Sequence, residues 1–328
     1  MIKKKVGVLR GGPSSEYDVS LKTGKSVMDN LMMQAGLADR YEVLDIFIDK
    51  EGTWHYLGAP IKPEKVFKKV DVIFNALHGA YGEDGTVQKL LDYFNIPYTG
   101  STALASAVGM NKVLSKKIYK NNNLKTPLHT VIFKKDDLSK AVAKLFKSFP
   151  MPVVVKPVSG GSSVGTTIAK TLADLETAVA EALKYSPQAL IEEFIAGKEA
   201  TCGVVDNFRN EVVYSLLPIE IRKPKESVFF DYNAKYGGGS EEICPGNFTA
   251  KEKKEIQEMA KQAHQVLGLR HYSRSDFIIH PRRGIYILET NTLPGLTAES
   301  LLPKSLAAIG CSLPDFLDHL IKLALEKK

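Results

Sequence analysis

Arg274-Ser-Asp276 and Glu289-Thr-Asn291 flank a turn at Pro281-Arg-Arg-Gly284, so two acids and an amide fall on what reads as one hairpin. Side chains two apart on a strand share a face, so Glu289 and Asn291 point the same way and Asp276 joins them from the paired strand. Hard oxygen donors without sulfur or imidazole suit Mg²⁺ or Mn²⁺. Mg²⁺ held by few protein ligands completes its shell with nucleotide phosphates. An exposed hairpin face with incidental polar residues has the same sequence, so the reading needs partners elsewhere in the chain.

Lys156-Pro-Val-Ser-Gly-Gly-Ser-Ser-Val-Gly165 is one such partner. A lysine at a strand end, followed by a turn of glycine and serine, offers one positive charge and several backbone N–H groups to phosphates. No GxxxxGK[ST] occurs, so the P-loop is excluded while phosphate chemistry survives. An ordinary glycine hairpin remains the alternative. Glu192-Glu193-Phe194-Ile195, followed by Glu199, combines acids with two apolar residues. Backbone groups beside Phe194 and Ile195 suit an adenine edge and Glu199 suits ribose hydroxyls, because a flat apolar base needs a greasy slot and a few directed hydrogen bonds. A generic interdomain strand reads the same way.

The elements that must position these residues begin with an α/β pattern. Val6–Leu9, Glu42–Ile48 and Val70–Leu77 read as strands, and Val19, Val27, Met28 and Leu31 recur at helical spacing between the first two. Strands separated by helices imply parallel pairing, with ligands at the carboxyl ends of the strands. The loops Arg10–Glu16 and His78–Gly85 lie on that edge. The turn-rich Asn95–Gly100 marks a boundary. Beyond it come strands over 152–156 and 164–168, a helix starting at Thr171 with Asp174 in a capping box, strands over 199–205 and 212–221, and a helix over 250–267. The expected fold class is therefore α/β and α+β, in three units over residues 1–100, 101–191 and 192–328.

The 328 residues can bury a sizeable core, and well-mixed charge argues against disorder. The apolar run after Met1-Ile-Lys-Lys-Lys5 is too short for a signal peptide, and no run reaches membrane-spanning length, so a cytoplasmic protein without membrane association is expected. Three cysteines, odd in number and widely spaced, argue against a disulfide framework and a zinc site. The net charge of +7 is spread along the chain without aromatic interleaving, which argues against a nucleic-acid partner and suits anionic small molecules.

Taken in order, Lys112, Lys156 with its serine loop, Glu192 to Glu199, Arg274-x-Asp276 and Glu289-x-Asn291 resemble an ATP-grasp ligase. More narrowly, the chain resembles the D-alanine:D-alanine ligases in Gly11-Gly-Pro-Ser-Ser-Glu16 with Val19-Ser-Leu21, His78-Gly with Gly82-Glu-Asp-Gly-Thr86, Asp231-Tyr with Ala234-Lys-Tyr236, and Asn291–Thr297 with Ser300-Leu301. The resemblance runs from the first strand nearly to the C-terminus. It implies an ATP-grasp architecture: a Rossmann-like N-terminal domain and two α+β domains enclosing ATP.

It also implies roles. Lys112 and Lys156 would hold ATP phosphates, and Asp276, Glu289 and Asn291 would carry two Mg²⁺ or Mn²⁺ ions. Glu192, Glu193, Phe194 and Ile195 would form the adenine slot, with Glu199 on the ribose. Glu16 would accept the ammonium of the first D-alanine, although the same residue alone reads as a helix cap. His78 would lie near that substrate, and Lys235 would neutralise the carboxylate being phosphorylated. Arg274 and the Gly295 N–H would stabilise the tetrahedral oxyanion. Ser300 and Leu301 would bind the second D-alanine. Ser162 and Tyr236 would form a latch with Glu16, drawing the loop after Asp231 over the site. The expected product is D-alanyl-D-alanine for peptidoglycan, with a D-alanine:D-lactate ligase as the alternative; a homodimer is compatible with either. Two positions depart from the family pattern: Gly160 stands where glutamate is usual and Leu296 where methionine is usual.

Overall fold

A computed structural model describes residues 2–161, 164–222 and 240–326. The chain builds three sheets in succession. The first has β1 (Lys4–Gly11), β2 (Tyr41–Ile48), β3 (Trp54–Tyr56), β4 (Ala59–Pro60) and β5 (Val72–Asn75), in the order β4-β3-β2-β1-β5. β1 pairs in parallel with both β2 and β5, as the alternation with helices requires. β3 and β4 add an antiparallel extension that the pattern had not marked. Val6 and Val8 face one core, with Val27 and Leu31 of helix Tyr17–Met33, while Leu9, Ile46 and Ile48 face the other.

The second sheet, β6 (His129–Phe133), β7 (Val153–Pro157), β8 (Thr167–Ala169) and β9 (Gln188–Glu193), is antiparallel in the order β6-β9-β7-β8. Helices Leu138–Ser148 and Leu172–Tyr185 cover it, and the second starts on the expected capping box, Thr171 with Asp174. The expected strand over 164–168 is displaced to Thr167–Ala169.

The third sheet comprises β10 (Lys198–Phe208), β11 (Glu211–Ser215), β12 (Ile219–Arg222), β13 (Glu241–Ile243), β14 (Tyr272–His280) and β15 (Gly284–Asn291). The stretch expected as one strand over 212–221 is two. Pro218, which lacks an N–H for a ladder, lies in the break, and Leu216 instead donates to Gly203 O at 2.8 Å. Helix Ala250–Val266 packs on this sheet, as do Ala105, Tyr119 and Leu124 from the segment that follows the first unit. The C-terminal helix Leu313–Leu325 returns to the first sheet, where Phe316, Leu317, Leu320 and Ile321 are fully buried with Val6, Val8 and Phe74. No helix among the described residues is long and apolar enough to cross a membrane.

Candidate active site

The acidic hairpin forms as its spacing requires. Asp276 stands opposite Glu289 and Arg274 opposite Asn291 on antiparallel β14 and β15, so all four side chains leave one face. A register shift between Asp276 and Phe277 marks a bulge just where the acids end. Arg274 grips Asp276 with two N–H groups, at 3.0 and 3.1 Å, and Thr201 Oγ1 donates to Asp276 Oδ1 at 2.6 Å. Glu289 lies 3.6 Å from the Lys112 ammonium. Two carboxylates and an amide, all oxygen donors on one face, fit a hard divalent cation whose remaining shell is phosphate or water. Among the described residues no group of three or more His, Cys, Asp and Glu side chains is arranged to hold a metal.

Beside this face lies a cavity of about 330 Å³ between the second and third sheets. Lys112, Lys156, Glu192, Glu193, Phe194, Ile195 and Glu199 all line it, together with Asp276 and Glu289. Ile195 packs with Ile278, Tyr286 and Leu288, which gives the slot its apolar wall. The carboxylates at its edge are committed elsewhere. Glu193 accepts from Leu128 N at 3.1 Å and pairs with Arg283 at 2.9 Å, and Glu192 is held between Lys156, at 2.5 Å, and Lys116. Burial alone favours a neutral Glu192; the two ammonium groups outweigh it and hold the carboxyl below its ordinary range.

A second, more polar cavity of about 830 Å³ is lined by Glu16, His78, Asn291, Gly295 and Ser300. Lys112, Gly160, Gly161, Arg274, Glu289 and Leu301 line both spaces, so the two meet at this group. Glu16 is at the N-cap position of helix Tyr17–Met33 but makes no capping hydrogen bond with its side chain. Its buried carboxylate instead lies against two glycines: a Cβ on Gly79 would come within 2.8 Å of Oε2, and one on Gly161 would overlap the same oxygen. Glu16 therefore touches the serine loop at Gly161. Ser162, Lys235 and Tyr236, and with them the expected latch, lie outside the described residues.

His78 is buried, with Nε2 2.9 Å from Thr23 Oγ1 and Nδ1 3.8 Å from Glu83. Glu83 accepts from Gly79 N at 2.9 Å and from Thr292 Oγ1 at 3.4 Å, joining the His78 loop to the segment after β15. The Gly295 loop is tied from both sides. Ser26 Oγ donates to Leu296 O at 2.8 Å, and Ser300 Oγ accepts from Thr297 N at 3.1 Å, 2.8 Å from where a Cβ at Gly295 would stand. The Lys112 ammonium donates to Gly160 O at 2.8 Å, so the departure at Gly160 leaves a backbone contact at this corner. Sequence reasoning missed Lys116, Thr201 and Glu83. The first two carry no local signature, whereas Glu83 stood within a quoted motif without a role.

Residues 5–64 and 56–101 match the family model described as D-ala D-ala ligase N-terminus, and residues 118–322 match D-ala D-ala ligase C-terminus. The chain is 41% identical to the D-alanine–D-alanine ligase of Syntrophobacter fumaroxidans, over 99% of this chain and 98% of that protein. Among solved structures, the Bacillus anthracis D-alanine–D-alanine ligase complexed with ATP superposes with a TM-score of 0.80 at 32% identity, covering 98% of this chain and 97% of that one. The VanG D-Ala:D-Ser ligase of Enterococcus faecalis gives 0.84 at 28%, covering 98% and 100%. With both halves matched, and with the acidic hairpin, the lysine-lined slot and the polar cavity meeting at one point, the chain belongs to the D-alanine–D-alanine ligase family.

Proposed function

We infer that this chain joins two D-alanine molecules into D-alanyl-D-alanine for peptidoglycan synthesis, consuming ATP through an acyl phosphate. The observation that carries the reading is the junction of the two cavities at Lys112, Arg274 and Glu289. A nucleotide in the apolar slot points its phosphates at this junction, and an amino acid in the polar cavity presents its carboxylate there.

In this reading the first D-alanine sets its ammonium against Glu16, near His78. One of its carboxylate oxygens attacks the terminal phosphorus, the bond to the bridging oxygen breaks, and ADP carries that oxygen away. Lys112 and Lys156 meet the phosphate charge, and Lys235 meets the carboxylate. Asp276, Glu289 and Asn291 would hold Mg²⁺ or Mn²⁺, which would supply charge neutralisation at the phosphates. The amine of the second D-alanine, anchored by Ser300 and Leu301, then attacks the acyl carbon. Arg274 and the Gly295 N–H stabilise the oxyanion, phosphate leaves, and the amine nitrogen gives up one proton and keeps the other as the amide N–H. Ser162 and Tyr236 are assigned, from the resemblance, to closing the site with Glu16 and excluding water from the acyl phosphate.

The test is phosphate release and product identity with ATP and D-alanine, repeated with D-serine or D-lactate added. Dipeptide formation from D-alanine alone is expected. Absence of both phosphate and dipeptide ends the assignment, and a predominantly mixed product moves it to a different second substrate.

A further inference from the structure

Lys116 lies on helix Lys112–Asn121, one turn beyond Lys112, and its side chain is fully buried. It pairs with Glu192, and its ammonium donates to Thr126 Oγ1 at 2.9 Å and to Leu288 O at 3.0 Å. Two of these partners accept hydrogen bonds, while Glu192 Oε1 faces the ammonium as an ion-pair partner without one, and the three come from three separate segments. Burial draws the group down from the usual lysine range, and contact with Glu192 opposes this. A carboxylate in direct contact and two oxygens that accept from the nitrogen favour the charged form.

The charges then add up simply. Lys116 meets one oxygen of Glu192 and Lys156 meets the other, which makes two positive charges and one negative. Lys156 and Glu192 line the nucleotide cavity, whereas Lys116 stands behind them. A lone Lys156–Glu192 pair would be neutral, and a phosphate would have to compete with Glu192 for the same ammonium. With Glu192 already matched from behind, the unbalanced charge is on the cavity side.

We propose that Lys116 is a positioning residue that neutralises Glu192 from within the protein, leaving the charge of Lys156 available to the phosphates of a bound nucleotide. This rests on the nucleotide-using reading above, and it extends it from the groups that touch the ligand to the one that makes them effective. Lys116 also joins β9, through Glu192, to β15, through Leu288, so the same ammonium holds the two walls of the cavity in register.

The test compares the affinities of ADP and adenosine, measured by calorimetry without metal, in the wild type, Lys116→Met and the double variant Lys116→Met/Glu192→Gln. Lys116→Met should lose on the order of 10- to 100-fold in ADP affinity, as expected when one partner of a buried charge cluster is removed, with adenosine affinity little changed. The double variant restores the net positive charge with Lys156 alone, so it should regain most of the preference for ADP over adenosine. Equal losses for both ligands in Lys116→Met, or no loss for either, overturn the proposal. If Lys116→Met does not fold, the double variant decides: a preference near the wild-type value supports the charge argument and its absence overturns it. Wild-type protein that binds ADP but makes no dipeptide would remove the proposed reaction while leaving this inference standing.

Discussion

At Gly161 even a methyl group would collide with the Glu16 carboxylate, which makes this glycine a steric condition on the substrate end of the site. Gly161→Ala should lower kcat/KM for D-alanine by roughly tenfold or more, because a misplacement of about 1 Å costs a reaction that depends on positioning. Steady-state kinetics beside a melting curve test this, and unchanged kcat/KM would show that the loop and Glu16 do not act together. Glu289→Ala removes an acid that stands opposite Asp276 and near Lys112, and should lower kcat by about 10³-fold. Retained turnover would refute the metal assignment. The hairpin acids were legible because a two-residue spacing on a strand decides which side chains share a face. Lys116 and Thr201 were not. Lys116 sits in Lys116-Lys-Ile-Tyr-Lys120, which reads as a solvated helix, and Thr201 reaches Asp276 only through a strand pairing 75 residues away. Local pattern carries no information about such partners until the fold is known.

Elements show the same division. Capping boxes are local, and both Thr171 with Asp174 and Thr249 with Glu252 form them. Thr249→Ala should cost about 1 kcal/mol of stability with kcat unchanged, since its helix Ala250–Val266 covers the third sheet away from the cavities. Urea denaturation reads the first quantity, and a shift below about 0.3 kcal/mol would mean that the box is incidental. The far end of this helix is held by a tertiary contact with no local signature: His264 Nε2 lies 3.1 Å from Asp206, which also accepts from His271 N at 2.5 Å. Burial alone raises the Asp206 pKa; the adjoining His264 ring and the His271 contacts outweigh it and depress the group below its ordinary value of 3.8. A depressed carboxyl stabilises the fold above its unfolded pKa and loses that contribution as pH falls through the folded one. Asp206→Asn should therefore cost about 2 kcal/mol near neutral pH, with the deficit shrinking as the pH drops below 3.8. A deficit independent of pH would assign the effect to shape rather than charge.

Over the whole molecule, the strand patterns follow the order of the three sheets but carry no sign of how the sheets share cores. Val205, Leu216 and Tyr272 of the third unit pack in one cluster with Val6, Val8 and Phe74 of the first, and the C-terminal helix closes that cluster. Gly100 N donates to His271 Nδ1 at 3.1 Å across the same junction. The second sheet has its own core and meets the third at the slot lined by Lys156 and Glu192. A ligand seated there binds only when both walls are folded, so its free energy appears as stability. ADP at 100 times its dissociation constant should add about 2.7 kcal/mol and raise the melting temperature by several degrees. Lys156→Met tests whether the phosphates account for this. Lys116 still balances Glu192 in that variant, so no buried charge is left unpaired and the unliganded protein should melt close to the wild type. At the same ADP concentration its thermal shift should fall by more than half, while a shift of wild-type size would place the phosphates somewhere other than against Lys156.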